Sequence, residues 1–211
     1  MTICRPGHRA SVAILASRGR RRWVVSAFLR HVMNQAELKK ATGDIYYEAQ
    51  MLNAAYTNYW KRESAARKAQ PQWVHNCIIE ATLVHTRALL EFFERPRKPA
   101  TGRPPHEDDV LAEDYGFAPA PFSLSSSLRK RINTSIAHLS YGRARIPDDE
   151  RHWDFVGFIP LILLRSAEFF RHLLDSGRPC SSYPGDTKLK EFIAHVVKAR
   201  NANEKRITLT D

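Results

Sequence analysis

Apolar residues along this chain recur every three or four positions, and no alternating run of strand character persists. From about Gln35 to Ala66 the stripe is Leu38, Ile45, Ala49, Leu52, Tyr56 and Tyr59, which predicts a long first helix, with Gly43-Asp44 as the point of disturbance. Tyr46, Tyr47 and Trp60 fall at helical spacing with this stripe and are assigned mostly to the core, with a base-stacking platform as the alternative. A second helix is predicted over Gln72–Glu94, with Pro71 suited to its first turn. Val74, Ile78, Ala81, His85, Leu89 and Phe92 share one of its faces, Leu83 and Leu90 widen the apolar surface, and Cys77 falls on the apolar side.

The prolines of RPRKPATGRPPHEDD end that helix and predict a mobile loop. DDVLAEDYGF predicts a short helical turn, and SLSSSLRKRINTSIAHLSYGR (Ser123–Arg143) one further helix. A helix starting at Trp153 or Pro160 and running to Leu174 follows, carrying Ile162, Leu163, Phe169, Phe170, Leu173 and Leu174 inward. The last predicted helix runs from Thr187 to about Arg200 on Leu189, Phe192, Ile193 and Val196. Five amphipathic helices joined by Pro-rich loops imply an all-α protein built as a single helical bundle. The expected organisation is a basic extension over 1–32, the bundle over 33–200 and a flexible tail over 201–211.

Charge changes this picture at one end only. The chain has 211 residues, 33 Lys and Arg against 22 Asp and Glu, and a net charge of +11. Seven of the arginines (Arg5, Arg9, Arg18, Arg20, Arg21, Arg22 and Arg30) lie before Glu37 with no acid among them. Taking them away leaves 26 basic residues against 22 acidic ones, so the bundle is only mildly basic. Three readings of the basic segment stay open: an arm for nucleic acid or anionic lipid, a targeting peptide, or translation starting at Met33. Cys4, Cys77 and Cys180 are odd in number and lack metal-ligand spacing, which points to a reduced, cytoplasmic setting. The longest apolar run, FVGFIPLILL, is ten residues and includes Pro160, so a buried helix rather than a membrane partner is expected.

Candidate chemistry concentrates in the helix of Ser123–Arg143. Setting Ile132 at zero and advancing about 100° per residue puts Leu128, Ile136 and Leu139 within about 40° of it, Arg131 at about −100° and His138 at about −120°. The guanidinium and the imidazole therefore share one flank of the apolar stripe, two turns apart. Such a pair suits phosphodiester cleavage: arginine binds phosphate oxygens and stabilises added negative charge, while histidine moves protons near neutrality. RNA supplies its own nucleophile in the 2′-OH, so no metal and no cofactor are called for.

RINTSIAH (Arg131–His138) resembles the R-x(4–6)-H motif of the HEPN superfamily, the higher eukaryotes and prokaryotes nucleotide-binding domains. Members often carry a polar residue directly after the arginine; here Ile132 stands there and Asn133 follows one place later. The resemblance implies a compact helical bundle and a metal-independent ribonuclease of the toxin–antitoxin or defence kind. It also implies a homodimer in which two motifs build one cleft, and a cognate antitoxin or other protein partner. Arg131 would bind the scissile phosphate and His138 serve acid–base catalysis, with Asn133 beside them. Arg143, Arg145 and His85 are secondary candidates for substrate contact.

Each has a plainer alternative. His85 suits a core histidine bonded to a neighbouring helix, and Arg143 and Arg145 suit cations at a helix C-terminus. HEDD and DDERH pair acids with histidine, in predicted loops or helix starts where carboxylates favour the positive end of the dipole. Arg165, Glu168 and His172 suit ion pairing within one helix. The alternative for the whole chain is a non-catalytic helical interaction module, and a third reading gives nucleic-acid binding to the arginine-rich start alone.

Overall fold

A computed structural model describes residues 36–62, 64–106, 108–137, 153–177 and 184–207, and these form an all-α bundle without strands. The first helix, α1 (36–55), runs unbroken through Gly43-Asp44 and ends in a π-helical turn, Tyr56–Trp60. The sequence reading carries one helix on to Ala66; instead the chain turns at Lys61-Arg62 and restarts as the short α2 (Ser64–Lys68). The wider π turn explains the break. Within it the adjacent Tyr59 and Trp60 both face inward and are buried.

α3 (Gln72–Glu94) has the predicted bounds, with Pro71 at its N-cap. A 3-10 turn, Ala112–Tyr115, interrupts the loop that follows, and α4 spans Ser126–Ala137. α5 (Phe155–Asp175) starts close to the earlier of the two predicted positions, Trp153, because Asp154 caps it, its carboxylate accepting from the Gly157 N–H at 2.9 Å. Gly157 has a reason to be glycine: a Cβ there would collide with that carboxylate. Pro160 then sits inside the helix. α6 (Gly185–Ile207) outruns the predicted end by two turns.

Ring contacts give the arrangement. Tyr46 meets Phe170 and Trp60 meets Phe155, so α1 and α5 run antiparallel. His85 with Glu48, and Tyr59 with His75, set α3 antiparallel to α1. α5 is central and packs most extensively on α6, through contacts such as Phe170 with Phe192. Phe169, fully buried, meets Phe92, Phe93, Tyr115 and Phe117 edge-on.

The Pro-rich loop is fastened through Arg97. Its guanidinium donates to both carboxylate oxygens of Asp114, at 2.8 and 2.5 Å, and to the carbonyls of His106 and Asp109. The hydrogen bond to Asp114 raises the Arg97 pKa above its ordinary value, against burial, and the charges of Asp114, Asp109 and Glu113 add to the rise. Tyr115 completes the anchoring by donating to the buried Leu38 carbonyl at 2.7 Å.

Three core assignments are corrected. Tyr47 is 52% exposed, although its ring meets His85 of α3, and Cys77 and Ala81 are exposed. None of the helices among the described residues is long and apolar enough to cross a membrane.

Candidate functional site

α4 is positioned before it is functional. Ser125 accepts from the Leu128 N–H at 3.2 Å as its cap. Arg129 donates to Glu94 at the end of α3 and to the carbonyls of Phe122 and Leu124, while Glu94 accepts from the Phe122 N–H at 2.7 Å. This clasp ties α4 to α3, and Ile132, fully buried, seats the helix on the core. Arg131, the residue before it, is half-buried, and its guanidinium carbon lies 3.9 Å from the ring centroid of Trp153. Asn133 faces solvent. His138, Arg143 and Arg145 lie outside the described residues, as do the N-terminal extension and DDERH.

Trp153 extends the arrangement away from α4. Its ring stacks with Phe155 at 5.6 Å and 17°, Phe155 lies 4.2 Å from Trp60, and Trp60 meets the His75 ring at 5.8 Å. A continuous run of rings thus joins Arg131 to His75. These residues flank a cleft of about 410 Å³ between the end of α1 and the first turns of α3 and α5. Trp60, Arg67, Lys68, His75, Trp153 and Phe155 line it, and no carboxylate does. The neighbouring Asp154 carboxylate is turned onto the Gly157 N–H.

Within the cleft three side chains have defined partners. The Tyr59 hydroxyl lies 2.5 Å from Nδ1 of His75. With that hydroxyl donating, the proton of the neutral ring resides on Nε2, which makes no hydrogen bond among the described residues. Arg67 donates to the Trp60 carbonyl at 2.8 Å and the Arg62 carbonyl at 2.5 Å, closing the π turn and setting a positive charge at the C-terminal end of α1. Trp60 is fixed from beneath by donating to Thr82 Oγ1 at 2.9 Å. Sequence reasoning missed this site. Its one signal was the short connection between Trp60 and Gln72, which forces the end of one aromatic helix against the start of the next.

The other candidates resolve differently. His85 is buried, with Nδ1 2.7 Å from Glu48 Oε2 on α1 and the Tyr47 ring edge-on at 5.9 Å. That polar contact joins α3 to α1 rather than to α4. Arg165 pairs with Glu168 at 3.0 Å, but it also donates to the Ala118 carbonyl and lies over Phe117. His172 approaches the Tyr115 carbonyl at 3.1 Å instead of joining an intrahelical pair. In HEDD, Asp109 accepts from the His106 N–H and approaches Arg95 at 3.6 Å. No group of three or more potential metal ligands is found among the described residues.

A larger open groove of about 810 Å³ lies at the far end of α5, against α6. Leu174, Ile193 and Val197 form its floor and Arg171, Lys190 and Lys198 its rim, with no histidine or aromatic ring in its lining. Chemistry and stacking surface therefore meet in the smaller cleft.

No protein-family model, curated protein or solved structure matches the chain.

Proposed function

We propose that this protein is a metal-independent endoribonuclease of the HEPN kind, acting as a toxin or defence effector. In this reading Arg131 holds the scissile phosphate and neutralises the charge that develops on it. His138 takes the proton of the 2′-OH as that oxygen bonds to phosphorus. The bond from phosphorus to the 5′-oxygen breaks, and that oxygen receives a proton, leaving a 2′,3′-cyclic phosphate. A homodimer brings two such pairs together, so that one imidazole removes the proton and the other returns one. Asn133, Arg143 and Arg145 serve as further strand contacts, and His85 serves the α1–α3 joint.

The observation that supports the reading is the setting of Arg131. Its guanidinium is braced on Trp153, beside a cleft with aromatic walls and cationic lining. Polyanion binding by aromatic and basic surface together is the usual design for single-stranded nucleic acid. The test is incubation of RNA with the full chain in EDTA, with end-group analysis of the products. Cyclic phosphate ends that disappear in Arg131→Ala and in His138→Ala are expected; intact RNA after incubation with folded protein rejects the reading.

A non-catalytic helical module is the second reading, favoured by the same cation–π contact taken as packing alone. It expects Arg131→Ala to lower stability while no RNA is cut by either form.

A further inference from the structure

We infer that the cleft between the π turn of α1 and the first turns of α3 and α5 binds one nucleotide of a single-stranded RNA, next to the phosphate held by Arg131. The inference rests on the ribonuclease reading for the identity of the strand, and on the cleft itself for the site. At about 410 Å³ the cleft falls within the range of about 300–1,000 Å³ common to small-ligand sites. Trp153 and His75 are both half-buried and both line it, so aromatic surface forms part of its walls. Trp60 and Phe155, deeper, make its floor apolar. A nucleobase matches that combination because every base has a π face.

The phosphate side is equally defined. Arg67 and Lys68 line the cleft without an opposing carboxylate, so its net charge attracts an anion. His75, oriented through Tyr59 at Nδ1, adds a donor at Nε2 when that hydroxyl donates. Trp153 supplies the link between the two sites, since it lines the cleft and also carries the Arg131 guanidinium. A strand whose phosphate lies at Arg131 therefore has an aromatic pocket within reach of an adjoining nucleotide. The preference this generates is for a flexible single strand, because a paired base cannot turn into the cleft.

The experiment uses the full chain carrying Trp73→Phe, which removes an exposed indole that does not line the cleft. The probe is a 2′-O-methylated hexanucleotide, which lacks the attacking hydroxyl and stays uncut; binding is read from tryptophan emission. Lys68→Glu and Val156→Glu each set a negative charge on the lining at an exposed position, and position 156, in the first turn of α5, accepts a carboxylate readily. Each is expected to weaken binding by at least about fivefold, while Lys39→Glu, about 30 Å away along α1, changes it less than about twofold. Equal affinity in all the variants overturns the cleft assignment, and so does an equal loss in Lys39→Glu, which would make the effect one of bulk charge. Cleavage of unmodified RNA together with either result leaves the ribonuclease reading standing without this subsite. The expected binding pattern with RNA left intact does the reverse.

Discussion

The guanidinium of Arg131 lies over the indole of Trp153, 3.9 Å from its centroid, and so couples the middle of α4 to the entry of α5. Those residues are 22 positions apart in the sequence, one within α4 and the other just ahead of the cap of α5. The contact fixes the direction of the guanidinium at the flank of the bundle, where the proposed chemistry requires it. Trp153→Leu removes the ring and is expected to lower RNA cleavage about tenfold, in line with a cation–π contact of about 0.5–2 kcal/mol. Trp153→Phe retains a π face and is expected to keep most of the rate; initial rates on a fluorogenic RNA, compared with the melting of each variant, separate positioning from stability.

The floor of the cleft depends on a buried hydrogen bond. Trp60 donates its indole N–H to Thr82, and Thr82 in turn donates to the Ile78 carbonyl at 2.6 Å. Thr82→Val keeps the shape and strands the indole N–H, at a cost of about 1–3 kcal/mol. Urea unfolding followed by circular dichroism measures it, and an unchanged midpoint would show that the indole finds another acceptor.

Glu94 holds α4 in place twice over, accepting from the Phe122 N–H and from Arg129. Its side chain is mostly buried, 16% exposed, while that of Arg129 is 29% exposed, which moderates the penalty for breaking the pair. Glu94→Ala is expected to destabilise the fold by about 2 kcal/mol and to speed amide exchange in α4 more than in α5. Uniform exchange across both helices would contradict the clasp.

Arg97 depends on the fork shape of arginine rather than on charge alone. Arg97→Lys keeps the charge, but loses the two-pronged contact with Asp114 and the reach to the loop carbonyls, at a cost of about 1 kcal/mol after allowance for solvent. Its pKa is raised in the folded state, so its contribution is complete below the unfolded value and fades only as pH climbs through the folded one, far on the alkaline side. Stability lost in Arg97→Lys is therefore expected to be the same at pH 7 and pH 9, as thermal melts at both values would show.

Periodicity made the helices readable, and α3 most of all. Its stripe is long, Pro71 marks its start and the following Arg-Pro its end, so local signals and tertiary packing agree. The end of α1 was not readable in that way. The π turn over Tyr56–Trp60 shifts the register there, and a fixed 3.6-residue period carried through it runs the helix on past Lys61. Tyr47 and Cys77 carry a residue type suited to the core yet stay exposed, and composition is silent about how far a neighbouring helix covers them.

The site divides similarly. Arg131 was legible because α4 is regular and a flank position follows from Ile132. His75 was not, since its importance comes from Tyr59, Trp60 and the connection that folds α3 back onto α1. Trp153 read only as the possible start of a helix; its contact with Arg131 is tertiary, and no spacing rule spans it.

The central claim is tested most directly by the fate of RNA mixed with purified full-length protein in EDTA. The account predicts cleavage by the parent chain, 2′,3′-cyclic phosphate termini, and a loss of at least about a hundredfold in rate on replacing either Arg131 or His138 by alanine. RNA recovered whole from the parent protein, or cut as fast by the two variants as by the parent, would contradict it.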